Sequence, residues 1–193
     1  MSVLSRIRRN HGLEHATIHV LSEGQKRFSA QGNSDHRGFH LNVYGDVTEA
    51  EVAAAVAEAH RRLNAGEHHL AVHPNCGTVL VTTAALATLA AQTVLAVENW
   101  REPKAGRVGP ASFLNAMPGA IVAVVVALIV GRPLGVQLQE RYTVDGDLRD
   151  LEVVSVRRIP PSPITRLFHL LLTGGNSELQ AKSYFVQTAG GDG

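Results

Sequence analysis

Two histidines and a glutamate lie close together near the N-terminus, in the segment His11-Gly-Leu-Glu-His15. Histidines four residues apart share one face of a helix, so both imidazoles can bind one tetrahedral zinc ion. Glu14 falls on the same face, where its carboxylate can take a proton from an attacking water molecule. The spacing therefore indicates a zinc hydrolase in which His11 and His15 are ligands and Glu14 is the general base or acid.

The helix that carries these residues also permits a simpler interpretation. Asn10 is a suitable N-cap and Gly24 a suitable stop, which predicts a helix between them. Its broad apolar face is defined by Leu13, Ala16, Val20 and Leu21. The histidines and Glu14 fall on the opposite face, so a solvated polar surface explains them without a metal. The motif alone leaves both interpretations open.

A second segment rich in metal-binding side chains, GEHHLAVHPNCGT, spans residues 66–78. Pro74 prevents a regular helix through His73, and Asn75-Cys76-Gly77 is typical of a turn. Catalytic zinc sites usually have three protein ligands and one water, so this turn can provide the third ligand. His73 is the first choice and Cys76 the second, with a small buried residue as the alternative role for the cysteine.

HGLEH has the H-x-x-E-H form of the inverzincins, the zinc peptidases of the pitrilysin and insulin-degrading enzyme type. The likeness covers these five residues, and the distant glutamate ligand of those enzymes has no clear counterpart here. Together with GEHHLAVHPNCGT and with PLGVQLQ at residues 133–139, the HGLEH segment also resembles an uncharacterised family of small bacterial membrane proteins. That resemblance implies a membrane protein and no established activity.

Two uncharged runs of membrane-spanning length lie in the middle of the chain, at Thr78–Val97 and Ala111–Gly131. A helix rises 1.5 Å per residue, so each run just crosses a hydrocarbon core of about 30 Å. A pair of buried soluble helices is the alternative, and the five threonines of the first run favour it. The nearly unbroken AIVAVVVALIV of the second run favours a transmembrane hairpin.

The connection between the two runs, residues 98–110, is short enough to make the helices antiparallel neighbours. Trp100 lies where an interfacial anchor is expected. The connection holds three basic residues, against eight before the hairpin and seven after it. We therefore expect an integral protein of the bacterial plasma membrane with both termini in the cytoplasm.

The composition excludes several other classes of protein. The net charge of +1, without a basic and aromatic patch, argues against nucleic-acid binding. A single cysteine excludes an internal disulfide framework and a four-cysteine zinc site. The charged fraction of 18% is below the quarter or so that is usual for soluble domains, as expected for a chain that is partly embedded in a membrane.

The remaining patterns predict an α+β fold, in which a small cytosolic helix and strand module is interrupted by a two-helix transmembrane hairpin. Residues 1–77 form a helix–strand–strand–helix module, 78–131 form the hairpin, and 132–193 form a C-terminal cytosolic segment with strands. The predicted elements are strands at Arg27–Gln31, Phe39–Tyr44, Leu151–Ile159 and Ser183–Thr188, and a helix opened by the capping box Thr48–Glu51. The two cytosolic parts are expected to share one mixed sheet.

These patterns lead to two hypotheses from different functional classes. The first is a membrane-anchored metalloprotein, a zinc-dependent hydrolase or peptidase that acts on a peptide or membrane-protein segment near the bilayer surface. The alternative is a non-catalytic membrane subunit or scaffold whose cytosolic sheet binds a partner subunit. A third hypothesis is haem or another cofactor bound by the histidines.

Overall fold

The computed structural model describes residues 2–24, 28–101, 110–163, 165–167, 170 and 181–190. The chain forms two compact units, Met1–Val72 with Tyr142–Gly193, and His73–Arg141. We call the first the α+β unit and the second the hairpin unit. The α+β fold class is confirmed, because the first unit combines helices with an antiparallel sheet.

Helix α1 spans Val3–Gly24 and begins seven residues before the predicted N-cap. The prediction of an N-cap at Asn10 is wrong, because this side chain is fully buried inside the helix. Its amide donates to the carbonyl oxygen of Asp35 at 2.7 Å and accepts from the Thr188 hydroxyl at 2.8 Å. Asn10 therefore joins α1 to both parts of the sheet instead of starting the helix.

The sheet has four strands in the order β1-β2-β4-β3, and every neighbouring pair is antiparallel. The strands are β1 (Ser29–Asp35), β2 (Gly38–Tyr44), β3 (Glu152–Ile159) and β4 (Lys182–Ala189). The two parts of the chain do share one sheet, but it is not the mixed sheet that was predicted. The start of the predicted strand at Arg27 lies outside the described residues.

The core of the α+β unit follows the two-residue alternation of β2, whose Phe39, Leu41 and Val43 are fully buried. Tyr184 and Val186 of β4 extend the same buried face. Apolar residues of α1 and of the second helix cover it, and these include Leu13, Ala16, Leu21, Val52, Val56, Ala59 and Leu63. Strand alternation and helix periodicity thus place one continuous core between the sheet and the helices.

Helix α2 spans Glu49–Asn64, and its predicted capping box is confirmed. The Thr48 hydroxyl accepts from the Glu51 amide at 3.3 Å, and the Glu51 carboxylate accepts from the Thr48 amide at 2.7 Å. Gly66, with a φ of 95°, follows the helix end in the left-handed conformation that glycine permits. A short 3-10 turn at His68–Ala71 then leads to the hairpin unit.

The hairpin unit contains two helices that are long and apolar enough to cross a membrane. Helix α3 spans Gly77–Arg101, and helix α4 spans Pro110–Leu138, seven residues beyond the end of the predicted run. Two glycines of α4 let the helices approach, since a Cβ added at Gly131 or Gly135 would lie 3.0 or 2.8 Å from a Cα atom of α3. Residues 102–109 of the predicted connection lie outside the described part of the chain.

A π-helical turn, Gln139–Thr143, follows α4 and is continued by a segment that lies directly on α1. Arg8 donates to the carbonyl of Val144 at 3.0 Å, and the Asp145 amide donates to the carbonyl of Arg8 at 3.0 Å. A Cβ added to Gly12 would lie 2.4 Å from the Asp145 carbonyl oxygen. The glycine of the HGLEH segment is therefore needed for this close approach of two backbones.

The close approach predicts that Gly12→Ala destabilises the protein by about 1–3 kcal/mol, because a backbone contact has to move. Gly24→Ala is the matched control, since it lies in the same helix and no atom lies within 4 Å of an added Cβ. Chemical denaturation of both variants measures the change in the free energy of unfolding. Equal stability of the two variants would contradict the proposed contact.

Candidate metal site

His11 and His15 form a close pair on α1, with ring centroids 4.3 Å apart and ring planes inclined at 59°. His15 is 2% exposed and Glu14 is 3% exposed, so the solvated face considered from the sequence is wrong. The sheet packs against one side of α1, and the 3-10 turn packs against another side. Residues opposite the apolar stripe are buried because a second layer of chain covers them.

Each histidine of the pair is hydrogen-bonded through its Nδ1 atom to a backbone carbonyl. His11 Nδ1 lies 2.9 Å from the oxygen of Thr143, and His15 Nδ1 lies 2.8 Å from the oxygen of Ala71. Because a carbonyl oxygen accepts, the proton of each ring is on Nδ1. The Nε2 atom of each neutral ring is then the one that carries a lone pair.

Glu14 points toward strand β1, where two residues shape its surroundings. The Ser34 hydroxyl donates to the Glu14 carboxylate at 2.6 Å. A Cβ added to Gly32 would lie 2.4 Å from Glu14 Oε1, so only glycine leaves room for the carboxylate. The strand predicted from the sequence ends at Gln31, before both residues, although a glycine within a strand often marks such a close approach.

In the hairpin unit, the turn formed by residues 73–76 precedes α3 and brings His73 and Cys76 together. The Cys76 amide donates to the carbonyl of His73 at 3.2 Å, and the Asn75 amide donates to His73 Nδ1 at 3.3 Å. The Cys76 side chain is 7% exposed. The turn therefore holds its thiol in a sheltered position one residue before the helix.

Gln139 fixes the same turn and was not singled out from the sequence, although it is the last residue of PLGVQLQ. Its side-chain oxygen accepts from the His73 amide at 2.9 Å, and its side-chain nitrogen donates to the His73 carbonyl at 3.2 Å. The glutamine is fully buried. Gln139 therefore pairs with both the N–H and the C=O group of His73, as the backbone of a neighbouring β-strand would.

Arg62, Glu23 and Glu67 form an ionic cluster between the end of α1 and the segment before the 3-10 turn. Arg62 pairs with Glu23 and with Glu67, each at 2.8 Å. The hydrogen bond from Arg62 lowers the pKa of Glu67, and the two carboxylates raise the pKa of Arg62. Arg62 of α2 thus contacts both the end of α1 and the segment that leads to Ala71.

His11 and His15 belong to the α+β unit, whereas His73 and Cys76, the first and second choices for the third ligand, belong to the hairpin unit. All four side chains are of types that can bind a metal ion. Imidazole nitrogen and thiolate sulfur are both ligands that zinc takes in proteins.

Comparison with known proteins gives a family and one relative. A family model described as "Domain of unknown function (DUF6391)" matches residues 6–156, which include the HGLEH segment and the turn at 73–76. An uncharacterized protein of the cyanobacterium Picosynechococcus sp. is 39% identical over 94 residues, 42% of this chain and 45% of that protein. The chain thus spans less than half the length of this curated relative. No solved structure matches.

The two bonds of Gln139 predict that Gln139→Leu destabilises the protein by about 1–3 kcal/mol, because two backbone groups of His73 lose their partner. Gln137→Leu is the matched control, since Gln137 lies two residues earlier and is exposed. Thermal or chemical unfolding of both variants in detergent measures the difference between their free energies of unfolding. A Gln139→Leu protein as stable as the control would rule out this role.

Proposed function

The chain belongs to the family described as "Domain of unknown function (DUF6391)", and we propose that it is a membrane-anchored metalloprotein that binds zinc. One observation carries the proposal, namely the close pair of His11 and His15, whose Nδ1 atoms each lie on a backbone carbonyl. We propose Cys76 as the third ligand. Three protein ligands leave a fourth position for water or substrate, which is the arrangement of catalytic zinc sites. The proposed activity is hydrolysis of a peptide or a membrane-protein segment near the bilayer.

The hydrogen bonds of the two histidines support this assignment. Metal-binding histidines almost always donate their other ring nitrogen to a carbonyl or carboxylate, which fixes the ring and its tautomer. Nδ1 of His11 and Nδ1 of His15 each have such a carbonyl partner. We assign Nε2 of each ring as the ligand atom, and the burial of His15 shields that atom from bulk water.

The position of Cys76 in the chain also supports its role as third ligand. Ala71, whose carbonyl accepts from His15, is five residues earlier, so the chain limits the separation of Cys76 from Ala71 to about 17 Å. Cys76 is followed directly by α3, which has the length and apolarity of a membrane span. A metal held by this thiolate would lie at one end of the span.

Glu14 is proposed as the general base or acid. A zinc ion held by His11, His15 and Cys76 would supply a Lewis acid for polarising a carbonyl group of the substrate. Glu14 would take the proton of the attacking water and return it to the leaving group. Ser34, which donates to the carboxylate at 2.6 Å, would hold Glu14 in one orientation.

A non-catalytic scaffold is the second candidate, and the contacts of His19 favour it. His19 Nε2 lies 3.0 Å from the carbonyl oxygen of Val72, although His19 is not a proposed ligand. The three histidines of α1 thus make the same kind of bond to the chain on either side of the hairpin unit. Holding these two connections against α1 is a structural role for the three histidines, and it requires no metal.

Zinc binding predicts about one zinc ion per chain in the purified protein, and zinc near background in His15→Ala, because a three-ligand site loses one ligand. His19→Ala is the matched control, since it removes a histidine and a carbonyl contact from the same helix but no proposed ligand. Elemental mass spectrometry measures the zinc, and circular dichroism verifies that each variant is folded. Negligible zinc in the wild-type protein would favour the scaffold.

A catalytic Glu14 predicts that Glu14→Gln keeps its zinc and loses hydrolytic activity about 10²- to 10⁴-fold, because the amide cannot accept the proton. The substrate for the assay is a mixture of fluorogenic casein peptides, presented with lipid vesicles. Ser34→Ala should lose less, since it removes an orienting hydrogen bond and leaves the carboxylate. Unchanged hydrolysis in zinc-loaded Glu14→Gln would contradict the role of Glu14.

A further inference from the structure

Gln92 presents a polar amide on the outer surface of α3. The residue is exposed, and within the described part of the chain it has no hydrogen-bond partner. In water, an exposed amide without a protein partner is ordinary, because water molecules form its hydrogen bonds. In a helix that crosses a membrane, the lipid around such an amide offers neither a donor nor an acceptor.

The other polar side chains of this stretch of α3 are satisfied within the helix. Each hydroxyl donates to the carbonyl four residues earlier at 2.7–2.8 Å, and the residues are Thr82, Thr83, Thr88 and Thr93. Their presence is therefore compatible with a lipid-facing helix. Gln92 makes no such bond and still needs a partner.

The position of Gln92 along α3 keeps it away from both membrane surfaces. It lies fifteen residues after Gly77 and nine before Arg101, the ends of the helix. These distances are about 22 Å and about 14 Å at 1.5 Å per residue. A glutamine side chain is too short to reach interfacial water from there, so the partner has to come from another helix.

The surface around Gln92 is suited to such a helix. Residues spaced by four along the helix all lie on its exposed side, namely Ala84, Thr88, Gln92 and Ala96. Small side chains at this spacing let two helix backbones approach closely in a bilayer. We call these four residues the Gln92 face.

We propose that the Gln92 face pairs with the same face of a second copy of the chain. An amide carries both a donor and an acceptor, so two Gln92 side chains can satisfy each other across a twofold axis. Two copies inserted in the same direction place Gln92 at the same depth, which brings the two amides together without further adjustment. The inference rests on the proposed membrane span and not on the metal.

Energy transfer between donor-labelled and acceptor-labelled full-length protein tests this pairing. The labels are attached at the N-terminus, and the protein is reconstituted in phosphatidylethanolamine and phosphatidylglycerol vesicles at several protein-to-lipid ratios. Gln92→Leu should weaken dimerisation about threefold to thirtyfold, as expected for the loss of an interhelical hydrogen bond. Gln92→Asn should retain it because the amide remains.

Asn115→Leu is the matched control, since Asn115 is an exposed amide near the start of α4 and lies outside the Gln92 face. This variant should dimerise like the wild-type protein. Equal dimerisation of Gln92→Leu and the wild type, or no dimerisation of the wild type at any ratio, would overturn the pairing. Release of the protein from native membranes by alkaline carbonate would overturn the membrane span itself, which separates the two failures.

Discussion

Hydrogen bonds from one helix to the chain on both sides of the hairpin unit determine how the α+β unit is built. His11 binds the carbonyl of Thr143, after the hairpin, and His15 binds the carbonyl of Ala71, before it. These bonds require the two connections to lie directly on α1. Gly12 allows that approach where the Asp145 carbonyl meets the helix.

The carbonyl hydrogen bonds of His11 and His15 also affect the proposed binding of zinc. An imidazole can donate from one nitrogen while it binds a metal with the other. The carbonyl contacts of His11 and His15 would therefore not compete with the proposed zinc ion, and they would orient the rings for it. His11 and His15 can therefore have both a structural role and the proposed metal-binding role. For His19 we propose the structural role alone.

Local patterns were enough to predict several elements. The capping box of Thr48 and Glu51 and the alternation of Phe39, Leu41 and Val43 depend on residues within one turn or one strand, so the sequence displays them directly. The positions of the two apolar helices likewise follow from the uncharged runs, although α3 and α4 continue four and seven residues past the ends of those runs.

The burial of α1 was not predictable in the same way. Asn10 is paired with Thr188, and His11 with Thr143, and these partners are more than 130 positions away in the sequence. Amphipathic periodicity assumes one covered face, and it fails for a helix that is covered on several sides. The spacing likewise leaves the proposed third ligand open between His73 and Cys76, because both residues lie on the same turn.

Cobalt substitution tests the metal site most directly. Co²⁺ is expected to bind the same ligands as zinc and to report a cysteine ligand through a thiolate-to-cobalt charge-transfer band. The band should appear in the wild-type protein and in His73→Ala, and should be absent from Cys76→Ser. A wild-type protein without the band, or a band that survives in Cys76→Ser, would contradict a site made of His11, His15 and Cys76.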